Sequence, residues 1–170
     1  MIFNIKKHNS DLYNTLLTLS RNIFFYENIM LKDCFENRIY LMFFHFSLMM
    51  IIFKKKGIKF DQNDYDSLFF CIENNLRELG FGDIAVNKKM KELNKILYDI
   101  LLKIEIKNSK KLKFNEEIIF KYFSDLNRSK STKFNDFKNY FNDFYNFCFE
   151  LPLDNMLRET VNFKKSYGST

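Results

Sequence analysis

The chain has 170 residues, 46% of them hydrophobic, enough for one domain with a substantial core. One Pro and four Gly leave little punctuation for a many-stranded sheet and predict an all-α fold. The net charge of +6 comes from 27 basic residues interspersed with 21 acidic ones, so no concentrated phosphate-binding stripe is evident and DNA is not an expected partner.

The skew toward Phe, Ile, Lys, Asn and Tyr, with 22 Phe and no Trp, follows AT-rich codons and weakens arguments from charge alone. Cys34, Cys71 and Cys148 are widely separated in apolar context and read as reduced core thiols. No CxxC spacing occurs, and His8 and His45 are remote from any Cys, so neither a metal nor a cofactor is expected. The N-terminus lacks a secretory or transit pattern. The most apolar run, Ile39 to Phe53, falls short of the roughly 20 residues that span a bilayer.

In chain order, the spacing predicts a first helix from Asn9 or Ser10 to about Tyr26, with Leu12, Leu16, Leu19 and Ile23 on one stripe. After a connector over 27–32, Asp33 caps a second helix with Glu36 at capping-box spacing. Its apolar positions exceed one stripe, so this helix should be central. Lys54, Lys55 and Lys56 suit its C-terminal dipole, and Gly57 stops it. The short link after Gly57 predicts that the second and third helices pack antiparallel. The third helix spans Asp61 to Leu79, with Leu79 facing the core and Gly80 ending it, and Asp83 caps the fourth, which runs to Ile104. A polar, Lys-rich stretch over 107–113 reads as an exposed linker. Asn115 opens a short helix, and a Phe-rich helix follows with Phe134, Phe137, Phe141, Phe144 and Cys148 at core spacing. Pro152 ends it or starts a last short helix, and the tail after Lys164 reads as frayed. The expected whole is a single compact bundle of six to seven helices over 1–170, its core at 10–104 and its C-terminal helices at 114–163.

Two clusters exceed what helix building needs. The first is Asp33-Cys34-Phe35-Glu36-Asn37-Arg38 followed by His45. The second is Gln62 with Asp66, then Leu76-Arg77-Glu78-Leu79-Gly80-Phe81-Gly82-Asp83 and Val86 with Lys88, Lys89 and Lys91. On these residues the chain resembles the ubiquinol-cytochrome c chaperone family of α-proteobacteria and mitochondria, over about Leu12 to Leu102 and more weakly beyond. Asp33, Glu36, Arg38 and His45 match an Asp-Thr-x-Glu-Gly-Arg-Phe segment and its following Leu-His pair, while Cys34, Asn37 and Ile39 depart from Thr, Gly and Phe. The Leu-Arg-Glu-x-Gly-x-Gly-Asp signature is retained nearly whole, and Lys32 stands where the family usually has Pro.

The resemblance implies a non-enzymatic assembly factor that binds newly made cytochrome b. The N-terminal pattern leads us to expect the bacterial cytoplasm or the periphery of the inner membrane. Mitochondrial relatives act with a small partner chaperone and near the ribosome, and for this chain both partners stay open. Residue chemistry leaves two readings of the motif open, structural or client-binding. Arg38 could pair bidentately with Glu78, Asp83 or Asp66, the two glycines flanking Phe81 suit positive φ, and His45 reads as a hydrogen-bonded core residue rather than a haem ligand. No nucleophile elbow, phosphate loop or paired carboxylates point to catalysis. The competing readings are a basic RNA- or ribosome-binding module, with Lys54, Lys55, Lys56, Lys88, Lys89 and Lys91 on one face, and an enzyme or cofactor carrier using His45.

Overall fold

The computed structural model describes residues 10–107, 111–128 and 132–167. The fold is all-α, with seven α-helices and one two-stranded hairpin among the described residues.

Helix α1 (Asp11–Ser20) is capped by the Ser10 hydroxyl, which accepts from the Tyr13 amide at 3.1 Å, and buries Leu12, Leu16 and Leu19. It stops six residues before the expected Tyr26. The fully buried Asn22 side chain accepts from the Phe24 amide at 3.1 Å and donates to the Tyr167 carbonyl at 3.0 Å, so a side chain takes the role a helical carbonyl would have played. The chain then makes a wide turn over Phe24–Asn28 that drives Phe25 into the core and leaves Ile23 exposed.

Helix α2 (Phe35–Lys55) is the axis of the bundle, buried on nearly every side from Ile39 to Ile52, as its all-round apolar pattern requires. Its ring contacts align Phe44 with Phe137 and Phe141, and Lys56 with Phe149 and Leu151, so it runs parallel to α6 (Thr132–Glu150). It also runs parallel to α4 (Asp83–Lys103): Glu36 lies near Lys89 at one end and Lys54 near Leu101 at the other. Helix α3 (Gln62–Glu78) folds back antiparallel on α4, with the Tyr65 hydroxyl donating to Asn94 at 3.2 Å. The backbone of α2 approaches α1, α4 and α6 most closely. Its contact with α3 is made by ring pairs, Phe43 with Phe69 and Phe46 with Tyr65, at 5.9 and 6.0 Å between centroids. Two layers of large rings hold those axes further apart than the short connector alone suggested.

The stretch expected as a linker is instead a hairpin where it is described. Strand β1 (Ile104–Lys107) pairs antiparallel with β2 (Lys111–Phe114), Ile104 opposite Phe114. The sequences Ile-Glu-Ile-Lys and Lys-Leu-Lys-Phe alternate apolar and charged residues, and Ile104 and Leu112 are buried. Helix α5 (Glu116–Tyr122) starts at the expected Asn115 cap, and a 3-10 turn over Ser124–Arg128 carries Leu126 into the core. Helix α6 buries the expected Phe stripe together with Tyr140 and Tyr145. After α7 (Leu153–Glu159) and a 3-10 run to Ser166, Tyr167 is docked rather than frayed: its ring packs on Phe24, Tyr140 and Phe163, and its hydroxyl donates to Asp143.

Candidate functional site

The parallel run of α2 and α4 divides the motif residues between two ends of the bundle. A helix of 21 residues is about 30 Å long, which sets the scale of their separation.

At the first end lie the start of α2 and the α3–α4 turn. Arg38 Nε and Nη2 both stand 2.7 Å from Asp33 Oδ1, so Arg38 pairs with the residue five before it and not with Glu78, Asp83 or Asp66 as expected. The extended backbone at Cys34 (φ −137°, ψ 164°) swings Asp33 alongside the first turn of α2. Asp33 therefore tethers Arg38 instead of capping: Cys34 is the N-cap, and the capping box with Glu36 does not form. Both partners are substantially exposed, at 37% and 53% of their side-chain surfaces.

Across the turn, Arg77 donates to Glu73 at 2.9 Å and to Asp83. Asp83 is the first residue of α4, and the N-cap is Gly82, which carries no capping side chain. Of the two glycines only Gly80 has positive φ, +94°; Gly82 has an ordinary φ of −73°. The Gly80 amide bonds to the Arg77 carbonyl and the Phe81 amide to the Leu76 carbonyl, the paired closure that ends a helix on a left-handed residue. Leu79, expected in the core, is 60% exposed because this closure turns the chain outward at it. Lys89 lies over the Phe81 ring at 5.3 Å, while Lys88 and Lys91 are exposed.

At the second end lie the end of α2 and the start of α3. Gln62 donates to Asp66 at 2.8 Å, and Asp61 accepts from the Asn63 amide to cap α3. Gly57, at φ +72°, closes α2 as expected. Lys56 donates to the Leu151 carbonyl at 3.0 Å and covers the Phe149 ring at 5.0 Å, so it belongs to the α2–α6 contact. Lys54 and Lys55 thus sit at the opposite end from Lys88, Lys89 and Lys91, and the single basic face expected of a nucleic-acid module does not form.

His45 belongs to neither end. It is fully buried, its Nδ1 is 2.6 Å from the Leu41 carbonyl oxygen and its Nε2 is 2.9 Å from the Tyr140 hydroxyl. A carbonyl can only accept, so Nδ1 carries the proton and Nε2 accepts from Tyr140. Burial pushes the His45 pKa down to about 3 against the opposing carbonyl bond, which keeps the ring neutral. Both nitrogens are occupied. Among the described residues no group of three or more His, Cys, Asp or Glu side chains is placed to hold a metal, and no helix is long and apolar enough to cross a membrane.

The feature that sequence reasoning missed is an open groove of about 1020 Å³ at the second end, between the end of α2, the α2–α3 connector and the end of α4. Met50, Ile51, Phe60, Tyr65 and Leu101 line it, Ile58 (52% exposed) and Leu102 (79% exposed) stand at its edge, and Lys54, Lys55 and Lys59 border it. The available signal was Leu102 itself, an apolar residue off the buried stripe of Val86, Leu93, Leu97 and Ile100. A concave surface of this composition can take an apolar segment of another chain.

Residues 27–113, just over half of the chain, match the model of a family described as Ubiquinol-cytochrome C chaperone. Every residue lining the groove falls inside that span, while α1 and α6, which pack against α2, fall outside it. No curated protein and no solved structure matches the chain.

Proposed function

The chain belongs to the ubiquinol-cytochrome C chaperone family, and on that premise we propose that it holds newly made cytochrome b in the groove between α2, α3 and α4 during assembly of the reductase. The observation that carries this reading is the groove itself, apolar, open, and built entirely within the family-matched segment. A membrane-protein segment awaiting its cofactors and partner subunits exposes apolar side chains, and burying one Leu-sized side chain contributes about 1.5–3 kcal/mol. A few such contacts suffice for a client that must later be released, since every ~1.4 kcal/mol is tenfold in affinity. The reading needs binding and no bond-making step.

Leu102 offers the cleanest test, because at 79% exposure it can be changed without touching the core. Tagged protein recovered from the membrane fraction should enrich cytochrome b, and Leu102→Asp should cut that enrichment at least tenfold with an unchanged melting midpoint. Equal recovery of cytochrome b by both proteins would show that the client binds elsewhere.

A further inference from the structure

The groove lining holds Lys54, Lys55 and Lys59 against one carboxylate, Asp61, an excess of positive charge that client binding does not account for. Among the described residues the nearby cations Lys103 and Lys138 are already paired, with Asp99 at 2.9 Å and Glu116 at 3.0 Å. Lys54, Lys55 and Lys59 have no carboxylate partner among the described residues. The negative end of the α2 dipole accounts in part for Lys54 and Lys55 but not for Lys59, which lies in the connector beyond the helix. Nor does it account for Ile58, 52% exposed beside Lys59, or for Leu102 across the groove. Leu102 also lines a second hollow of about 600 Å³ toward the hairpin, whose wall is largely polar, with Lys103, Lys113, Asn115, Glu116 and Lys138.

The opposite end makes the contrast. It too exposes apolar residues, Leu79, Phe81 and Ile84, but its lysines are interleaved with Glu78, Asp83 and Glu92, and Lys89 is spent on the Phe81 ring. Among the described residues Lys88 and Lys91 have no ion pair either, but the groove end sets its protruding aliphatic side chains among Lys54, Lys55 and Lys59 with Asp61 as the one carboxylate in the groove lining. That pairing is the chemistry of an interfacial membrane contact, in which aliphatic groups enter the headgroup boundary while ammonium groups meet anionic headgroups.

We propose that Lys54, Lys55 and Lys59, with Ile58 and Leu102 between them, dock this end of the bundle on an anionic lipid bilayer. The proposal shares Leu102 with the client reading, and a vesicle assay that contains no client tests it apart from that reading. Docked this way, the groove opens at the membrane surface, where an emerging apolar segment would first be met.

Purified full-length protein is floated with vesicles of phosphatidylcholine alone or of phosphatidylcholine with phosphatidylglycerol. Binding is expected only to the anionic vesicles and should be released by high salt. The triple change Lys54→Gln, Lys55→Gln, Lys59→Gln should weaken partitioning on the order of 100-fold, at roughly fivefold per lysine. The matched triple Lys88→Gln, Lys89→Gln, Lys91→Gln removes the same charge from the other end and should leave partitioning within about twofold of the parent. Circular dichroism melts confirm that both variants fold. Absence of binding to anionic vesicles, equal binding to both vesicle types, or equal loss in the two triples would overturn the proposal. So would retention by RNA without any vesicle binding, an outcome that assigns these lysines to nucleic acid.

Discussion

Replacing His45 with Gln removes a buried ring whose two nitrogens are both bonded, and the structure sets how the damage should depend on pH. At pH 7.5 the change leaves the Tyr140 hydroxyl and the Leu41 carbonyl with imperfect partners, a loss of about 1–3 kcal/mol. The parent protein, however, has its own acid liability. Its folded-state His45 has a pKa near 3, while the unfolded chain titrates near 6.5, so unfolding takes up a proton at any pH between the two. A depressed histidine pKa means that stability is fully present above the unfolded value and falls as pH drops below it, by up to ~1.4 kcal/mol per unit. At pH 5 the parent should therefore have lost about 2 kcal/mol that the Gln variant cannot lose. Other titrating groups are common to both proteins and cancel in the difference. Urea unfolding followed by circular dichroism at pH 7.5 and pH 5 gives the two stabilities. The gap between parent and variant should shrink by about 2 kcal/mol at the lower pH. A gap unchanged between the two pH values would mean that His45 is not held neutral in the core, and the tautomer assignment would fall with it.

Because the Arg38–Asp33 pair is exposed, Arg38→Lys should shift stability by less than about 0.5 kcal/mol in the same urea assay. A loss above that would revive an interhelical bridge. Gly80→Ala should cost about 1–2 kcal/mol, since φ is +94° there, whereas Gly82→Ala should be neutral within about 0.5 kcal/mol. Equal melting midpoints for the two would refute this division. Although burial acts to raise the Asp99 pKa, hydrogen bonds from Lys121, Tyr122 and Lys103 hold it well below the usual carboxylate range. Asp99→Asn should destabilise by about 1 kcal/mol at pH 7, an effect that disappears as acid protonates Asp99 in the parent, and a penalty that stays constant down to pH 2 would count against it.

The buried stripes of α1, α2 and α6 were legible because burying one face of a helix imposes a spacing of three and four, and the cores around Leu12, Ile39 and Phe137 follow it. The stops at Gly57 and Gly80 were legible for an equally local reason, since a left-handed residue after a helix favours Gly. The family was legible because its signature is contiguous, running from Leu76 to Asp83. The pairing of Ile104–Lys107 with Lys111–Phe114 was readable in principle from its alternation, but its abundant lysines masked the period of two.

What the sequence alone decided, then, was set by neighbours along the chain, although the cap at Cys34 and the β1–β2 pairing were also local and were not read from it. The rest depended on which segments meet. Arg38 had several carboxylates within conceivable reach, and only the extended turn at Cys34 selected Asp33. Six lysines could have formed one face or two, and the parallel course of α2 and α4 sent them to opposite ends. Neither Ile58 nor Leu102 marks a site in its own segment, for a groove is a property of surfaces brought together by packing, and no local spacing encodes it.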